Sequence, residues 1–519
     1  VCVRAGKGKD ATRACTLLSR TTGELELPFQ GCPSWLLLNA GGTGYYRVSY
    51  SREQLAQLLS APPGTLSTPE RLALLADVKA AVDRGDVPLG EALGPDAARV
   101  FRGYVDQPGV PRVSAALQCK PGSAPRLTLS QERFLPAGST GSTAQTWHIP
   151  VCVRAGKGKE ATRACTVLST ATGELELPTQ GCPSWLLLNA GGTGYYRASY
   201  AREQLSGLLS VPAGTLTTAE RLAFLSDVKA AVDRGDVPLG EAMKLVPATA
   251  ADPHRLILQR GAQVLSALEL ERLPEADRER YRAWLRELNA PRARALGWTP
   301  QPNEGDEVKQ LRSLLLARAA IAGEDPVLVQ EGARLARSWL VDRKSVSPEV
   351  AWTALQVAAR GGDRPLFNTV LAQARAARNR HERARLLSTL GGFRDPALVK
   401  EALALVAGEE FDMRDTTGIL YTAFYTPETR PLAWDFYRKN FDKLAGKLRS
   451  DELGGLIEMT GDLCDETQRA EAEALLTPFA ERIEGGPRAL ARALESIRLC
   501  IESDRRHQPG VLEFLRTRR

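Results

Sequence analysis

The sequence predicts an α+β multidomain chain, a small β-sandwich followed by a much larger all-α domain. Three observations carry this. A period of two runs from about Arg112 to Tyr200, helical punctuation runs from Glu203 to the C-terminus, and residues 1–93 recur at 151–243 with a constant offset of 150. The length of 519 residues, with 43% hydrophobic and 25% charged, suits a globular chain of roughly three or four domains. A net charge of +7 on this length is too thin to argue for nucleic acid, and no run approaches 18 consecutive apolar residues.

The strands come first. Val113, Ala115, Leu117 and Cys119 alternate with Arg112, Ser114, Ala116 and Gln118; Trp147, Ile149, Val151 and Val153 alternate with His148, Pro150, Cys152 and Arg154. Further strands are expected at 126–134, 161–169, 173–177, 184–189 and 194–199, separated by turns such as Lys120-Pro121-Gly122 and Gly156-Lys157-Gly158. Seven short strands in under 100 residues predict the sandwich, over 111–200. The copy at 1–50 holds only the counterparts of the last five, which leaves an edge and part of its apolar face uncovered. It is not expected to fold as an independent domain.

Helix starts then recur at a fixed interval. Ser347, Asp363, Asn379 and Asp395 are each 16 apart, and Ser347 and Asp395 are followed by proline, as are Asp325 and Thr426. A doubled unit of helix plus turn gives hairpins of about 32 residues, the scale of a superhelical, HEAT/armadillo-like solenoid with a concave binding face. Leu311, Leu314, Leu315 and Ala319 keep the spacing of a buried stripe, with Arg318 expected to snorkel outward from its edge.

In the repeat, 77 of 93 positions are identical. The match stops sharply: Glu91-Ala92-Leu93 continues as Gly94-Pro95-Asp96, whereas Glu241-Ala242-Met243 continues as Lys244-Leu245-Val246. Solenoid repeats are shorter and drift apart, so a recent duplication, recombination between paralogues or an assembly error explains the copy better. The expected organisation is a partial sandwich at 1–50, a partial helical segment at 51–94, a linker at 95–110, the sandwich at 111–200 and the helical domain at 201–519. The chain is expected to begin inside something larger, since Val1 is neither an initiator methionine nor the start of a secretory signal.

Catalytic chemistry is hard to place. His148, His254, His381 and His507 are the four histidines. His381-Glu382-Arg383-Ala384-Arg385 approaches a helix-borne zinc motif, but Arg385 stands where a second histidine is needed and a guanidinium cannot ligate zinc. That segment reads as the first turn of a helix after Asn379. Gly-x-Ser-x-Gly is absent, and Gly6-Lys7-Gly8-Lys9, like its copy at 156–159, reads as a hairpin loop. Arg375, Arg378, Arg380, Arg383 and Arg385 offer a basic face for phosphate or, more simply, a solvated helix surface. No catalytic, metal or cofactor residue is assigned. Of nine cysteines, six are three seen twice: Cys2, Cys15 and Cys32, then Cys152, Cys165 and Cys182. Cys152 and Cys165 fall on adjacent strands where a bridge is open to them, Cys182 competes for either, and free buried thiols are the alternative.

The run Trp185-Leu186-Leu187-Leu188-Asn189-Ala190-Gly191-Gly192-Thr193-Gly194-Tyr195-Tyr196-Arg197 resembles the end of the β-sandwich in zinc aminopeptidases of the aminopeptidase N type, which include the endoplasmic-reticulum aminopeptidases. Phe101 to Val113 resembles the exit from that family's catalytic domain, Leu127 to Phe134 and Trp147 to Val151 fit its sandwich, and the region through to Arg519 resembles its C-terminal helical domain. The resemblance implies a bowl of helices over a zinc-dependent active site that releases N-terminal residues from peptides. The implied His-Glu-x-x-His and Gly-x-Met-Glu-Asn motifs are not in this sequence, whose methionines, Met243, Met413 and Met459, precede Lys244, Arg414 and Thr460. Residues 1–93 and 95–110 then stand in reverse family order, which suggests a head-to-tail fusion of two related genes or their collapsed assembly. The glycine run itself reads as a tight turn into the first helix.

The functional expectation is therefore a non-catalytic C-terminal portion of a zinc aminopeptidase, capping the active site and shaping the peptide cavity, with peptide or the catalytic domain as partner. Its rivals are a stand-alone solenoid binding peptide or protein, and a basic helical scaffold for anionic partners. Substrate-binding residues, oligomeric state and compartment stay open.

Overall fold

A computed structural model describes residues 1–519 apart from 8–9, 30, 45, 60, 62–63, 85, 87–94 and 519. The 93/94 junction, half of the Gly6-Lys7-Gly8-Lys9 loop and the end of the 51–94 segment lie outside the described residues. The chain divides into two compact units. One comprises Val1–Gly109 with Trp147–Pro150 and Val167–Thr170; the other comprises Val110–Thr146, Val151–Thr166 and Ala171–Arg519. Mostly helical overall, the molecule combines a few small sheets with a large all-α region.

In the first unit β1 (Cys2–Lys7), β2 (Asp10–Cys15) and β3 (Trp35–Leu37) make an antiparallel sheet in the order β2-β1-β3. Trp35 and Leu37 pack with Leu55, Leu58 and Leu74 from helices Arg52–Leu59 and Thr68–Asp83. The 95–110 stretch, expected as linker, is helical over Pro95–Val105.

All seven expected strands of 111–200 form: β4 (Pro111–Gln118), β5 (Arg126–Arg133), β6 (Ile149–Lys157), β7 (Glu160–Leu168), β8 (Thr172–Glu176), β9 (Trp185–Leu187) and β10 (Arg197–Ser199). They make a four-stranded sheet, β10-β4-β5-β8, and a three-stranded sheet, β7-β6-β9. Alternation places Val113, Leu127, Leu129, Val151 and Val153 at 0% exposure.

The count of five strands in the first copy is corrected to three. Thr22–Glu26 and Arg47–Ser49, the counterparts of β8 and β10, join no strand. In the second copy β8 is paired to β5 and β10 lies parallel to β4, and residues 1–50 contain no counterpart of either partner. A strand with nothing to donate to or accept from gains no ladder.

The cysteines resolve into four bridges. Cys2–Cys15 and Cys152–Cys165 form across adjacent strands, and Cys464 joins Cys500. Cys182 does not compete for Cys152 or Cys165: it bridges Cys119, one residue past β4, leaving Cys32 free and exposed.

Helices start where the caps predict. Asp325, Asp363, Asn379 and Asp395 cap Pro326–Val341, Arg364–Ala376, Arg380–Leu390 and Pro396–Ala407 through their side chains, and Ser347 precedes Pro348–Arg360. Thr426-Pro427 is a correction. Thr426 ends helix Met413–Tyr425, and the next, Arg430–Ala445, starts after Thr429. Leu311, Leu315 and Ala319 are buried and Leu314 half-buried, with a π turn at Ala317–Ala322. Arg318 does not reach outward: it is half-buried, its Nε donates to Asn289 Oδ1 at 3.4 Å, and burial holds its pKa below the usual value against the opposing pull of Tyr281.

Two cores organise the helices. One runs from Leu258 to Ile497. In the other, Trp185 and Leu187 of β9 pack with Phe224, Val232 and Trp284 and with Val511 and Leu515 of the last helix, Gly486–Thr517, which returns onto the first helices. His507 secures that return, its ring nitrogens meeting Leu239 N at 3.3 Å and Val232 O at 2.9 Å.

Candidate functional site

The glycine run is a joint. Gly191 and Gly192 take φ of 77° and 66°, and a Cβ on Gly192 would lie 2.5 Å from Ala219 O in the first turn of helix Thr218–Arg234. Asn189 brackets the turn, donating to Gly194 O at 3.0 Å and accepting from Gly194 N at 2.9 Å. Glu220 accepts from Gly191 N at 3.0 Å, Thr217 N at 2.9 Å and Arg154. Burial alone would raise its pKa, but those donors outweigh burial and hold it below the ordinary range. The hydrogen bonds of Asn189, Gly191 and Gly194 stay within the fold, so the run positions the helices.

Several of the residues suited to metal or phosphate are engaged within the fold. Asn379 accepts from His381 N and Glu382 N, and Glu382 pairs with Arg343 at 2.8 Å. His254 Nδ1 caps its helix at Leu256 N, and burial lowers the pKa of His507. Held this way, the rings of His254 and His507 serve the fold and not the zinc site that the resemblance implies. Arg375 pairs with Glu410, and Arg380 and Arg383 clamp the buried Asp415, so these arginines tie helices together. Among the described residues Glu269, Cys464 and Cys500 bring three potential ligand atoms together, with both sulfurs in a disulfide and Glu269 paired with Arg430 at 3.1 Å.

Arg385 is different. Its guanidinium lies 4.8 Å from the Trp352 ring centroid, on a cavity of about 340 Å³ that Gln356, Arg360, Ser388, Thr422 and Thr426 also line. A second cavity, of about 450 Å³, is lined by Glu271, Glu275, Arg278, Arg282, Arg394 and Glu428. An ion network joins the two. Glu324 and Glu428 lie among Arg282, Arg360 and Arg394, with N–O distances from 2.5 to 3.6 Å. Arg282 also reaches Glu275 at 3.6 Å and Glu279 at 3.7 Å, so the charges of the network largely offset one another, and Arg385 adds a cation beside it. Burial, then Arg394, depress the Arg360 pKa; for Glu324, burial pulls upward but Arg394 prevails and lowers it. Burial raises Glu271, which faces the second cavity, to about 7. Along the same helix as Thr422, stacked Tyr421 and Tyr425 line a third cavity of about 300 Å³ with Glu458 and Arg492.

Chemically, these cavities are lined by guanidinium, carboxylate, amide and hydroxyl groups with an aromatic face, groups suited to polar recognition. The first two cavities have neither histidine nor cysteine among their described lining residues. Sequence reasoning placed Arg385 on a helix surface and missed Trp352, Arg360 and Glu428, because helices distant in sequence bring them together.

Comparison with known proteins supplies the context. A family model described as "ERAP1-like C-terminal domain" matches residues 35–94 and again 185–499, so both copies of the joint are recognised. Aminopeptidase M1-B of Oryza sativa subsp. japonica is 25% identical over 435 residues, covering 79% of this chain and 48% of that protein. Endoplasmic reticulum aminopeptidase 1 of Mus musculus is 23% identical over 415 residues, 78% and 43% respectively. Puromycin-sensitive aminopeptidase of Caenorhabditis elegans is 23% identical over 287 residues, 54% and 30%. The chain spans less than half the length of each of these relatives.

Proposed function

The chain belongs to the ERAP1-like C-terminal domain family, and from that premise we propose that it is the non-catalytic C-terminal module of a zinc aminopeptidase. In this reading the seven strands of 111–200 form a sandwich, and the helices of 201–519 form a superhelical solenoid that caps a catalytic domain's active site. The joined cavities around Arg385, Arg360 and Glu428 face the substrate peptide. Zinc would belong to the complete enzyme's catalytic domain.

The observation that carries the reading is the juxtaposition of Arg385 on Trp352 with the Arg282–Arg360–Arg394 network. It sets a cation on an aromatic face beside a network of ion pairs, which suits polar recognition. The test is titration of the full chain with a fluorescent peptide of about ten residues, alongside an aminoacyl reporter. Saturable binding without hydrolysis is expected, and Arg385→Ala should weaken it about tenfold, the loss of one charge-assisted contact. Hydrolysis by the purified chain would overturn the proposal. Tight peptide binding that an added catalytic domain does not alter would favour a stand-alone binding module.

A further inference from the structure

The first copy keeps a place for strands that residues 1–50 do not contain. In the second copy the β4–β5 pair is held in three ways. Backbone ladders run to β8 and β10, the Cys119–Cys182 bridge closes one end, and Arg112 meets Asp236 at 3.2 Å while Glu132 meets Arg234 at 3.1 Å. Every acceptor in that list recurs. Thr22–Glu26 repeats the β8 sequence, Arg47-Val48-Ser49 stands for β10, Cys32 for Cys182, and Arg84 and Asp86 for Arg234 and Asp236.

None is engaged as its counterpart is. Residues 22–26 and 47–49 join no strand, and Arg84 and Asp86 pair with each other at the surface, 47% and 50% exposed. Cys32 is the one cysteine of nine outside a disulfide. Tyr46 is 36% exposed where Tyr196 is 4%, and Leu27, Leu36 and Leu38 are half-buried where Leu177, Leu186 and Leu188 are buried.

We propose that residues 1–50 are a strand acceptor whose partner is a two-stranded antiparallel hairpin of the β4–β5 kind, locked to Cys32 through a cysteine that follows its first strand. The hairpin adds to the chain at 22–26 and 47–49 by main-chain hydrogen bonds. Apolar residues at the positions of Val113, Leu127 and Leu129 cover the half-buried leucines, and an Arg–Glu pair takes up Arg84 and Asp86. The intact second copy shows the two strands, the cysteine and the Arg–Asp pair engaged with such a hairpin, which neither a free thiol nor an open edge would show alone. A donor arriving as a mixed disulfide needs no oxidant: the Cys32 thiolate attacks the donor cysteine's sulfur, the new S–S bond forms, and the former partner leaves as thiolate.

The test uses the full chain and a synthetic peptide of residues 111–134 whose single cysteine is capped as a 2-pyridyl disulfide. Released pyridine-2-thione gives the rate. Templating by a specific site should make coupling at least roughly tenfold faster than for a scrambled peptide with the same cap. The adduct should map to Cys32, and amides at 22–26 and 47–49 should gain exchange protection. Peptides carrying Val113→Asp and Leu127→Asp should fall to the scrambled rate. The Cys32→Ser chain should form no adduct yet gain the same protection at high peptide concentration. Equal rates for native and scrambled peptides, an adduct without protection, or a Cys32–Cys32 dimer that excludes the peptide would each overturn the proposal.

Discussion

Residues 1–93 and 151–243 are nearly one sequence in two structural situations. Thr-Gly-Glu-Leu-Glu is irregular at 22–26 and a strand at 172–176, although the five residues are identical. Their local preferences are the same; what differs is β5, which the second copy has beside it and which the first copy's own residues do not include. Where every partner lies inside the repeat, the copies agree. Both keep a three-stranded sheet, both bridge the first two strands, and both hold the glycine turn with a buried glutamate. The comparison therefore separates what the local chain dictates from what a remote neighbour supplies, and β-structure falls on the second side.

The sharpest way to break that comparison is at the third cysteine. Cys182→Ser opens a bridge spanning 63 residues, for which chain entropy gives about 4 kcal/mol of lost stability. Cys32→Ser should leave stability within about 0.5 kcal/mol, as exposed substitutions do. Chemical denaturation of the two variants checks both, and an equal loss would mean that Cys32 is engaged in solution. Next in size is Leu177→Ala against Leu27→Ala. Leu177 is 1% exposed, so its truncation should cost roughly 2–5 kcal/mol, whereas the half-buried Leu27 should cost about 1 kcal/mol or less.

Legibility followed the same divide. The seven strands of 111–200 and the caps at Asp363, Asn379 and Asp395 were readable because period and cap chemistry are local. The first copy's strand count failed because pairing is not local. Cys119 was read only as the end of a strand, and its bridge to Cys182 depends on how two sheets meet. The bridge from Cys464 to Cys500 joins the loop before helix Glu466–Ala480 to the final helix, with no periodic signal to announce it. Thr426 looked like a cap because Thr-Pro fits a helix start, but its hydroxyl donates to Thr422 O and ends the helix before it. The cavity followed the same rule: Arg385 was visible, but Trp352 and Arg360 come from another helix.

The smallest expected difference sharpens the comparison most, because it is predicted to vanish. Glu70 accepts from Arg4 at 2.6 Å, Gly41 N at 3.0 Å and Ser67 N at 2.9 Å, the same set that Glu220 draws from Arg154, Gly191 and Thr217. Burial would raise Glu70, yet Arg4 and the amides prevail and bring its pKa to about 2, while Glu220 is also lowered. A carboxylate depressed on folding stabilises above its unfolded pKa, near 4.3, and loses that contribution as the pH falls toward 2. Glu70→Gln and Glu220→Gln should therefore each cost about 2 kcal/mol at pH 7, and the difference from the parent chain should shrink as the pH drops from about 4 to 2. Exchange rates of the Gly41 and Gly191 amides, which donate to the two carboxylates, report each copy separately. Matching losses would show that the turn stands without β4 and β5; a loss at Gly191 alone would show that even this local network depends on the neighbouring sheet.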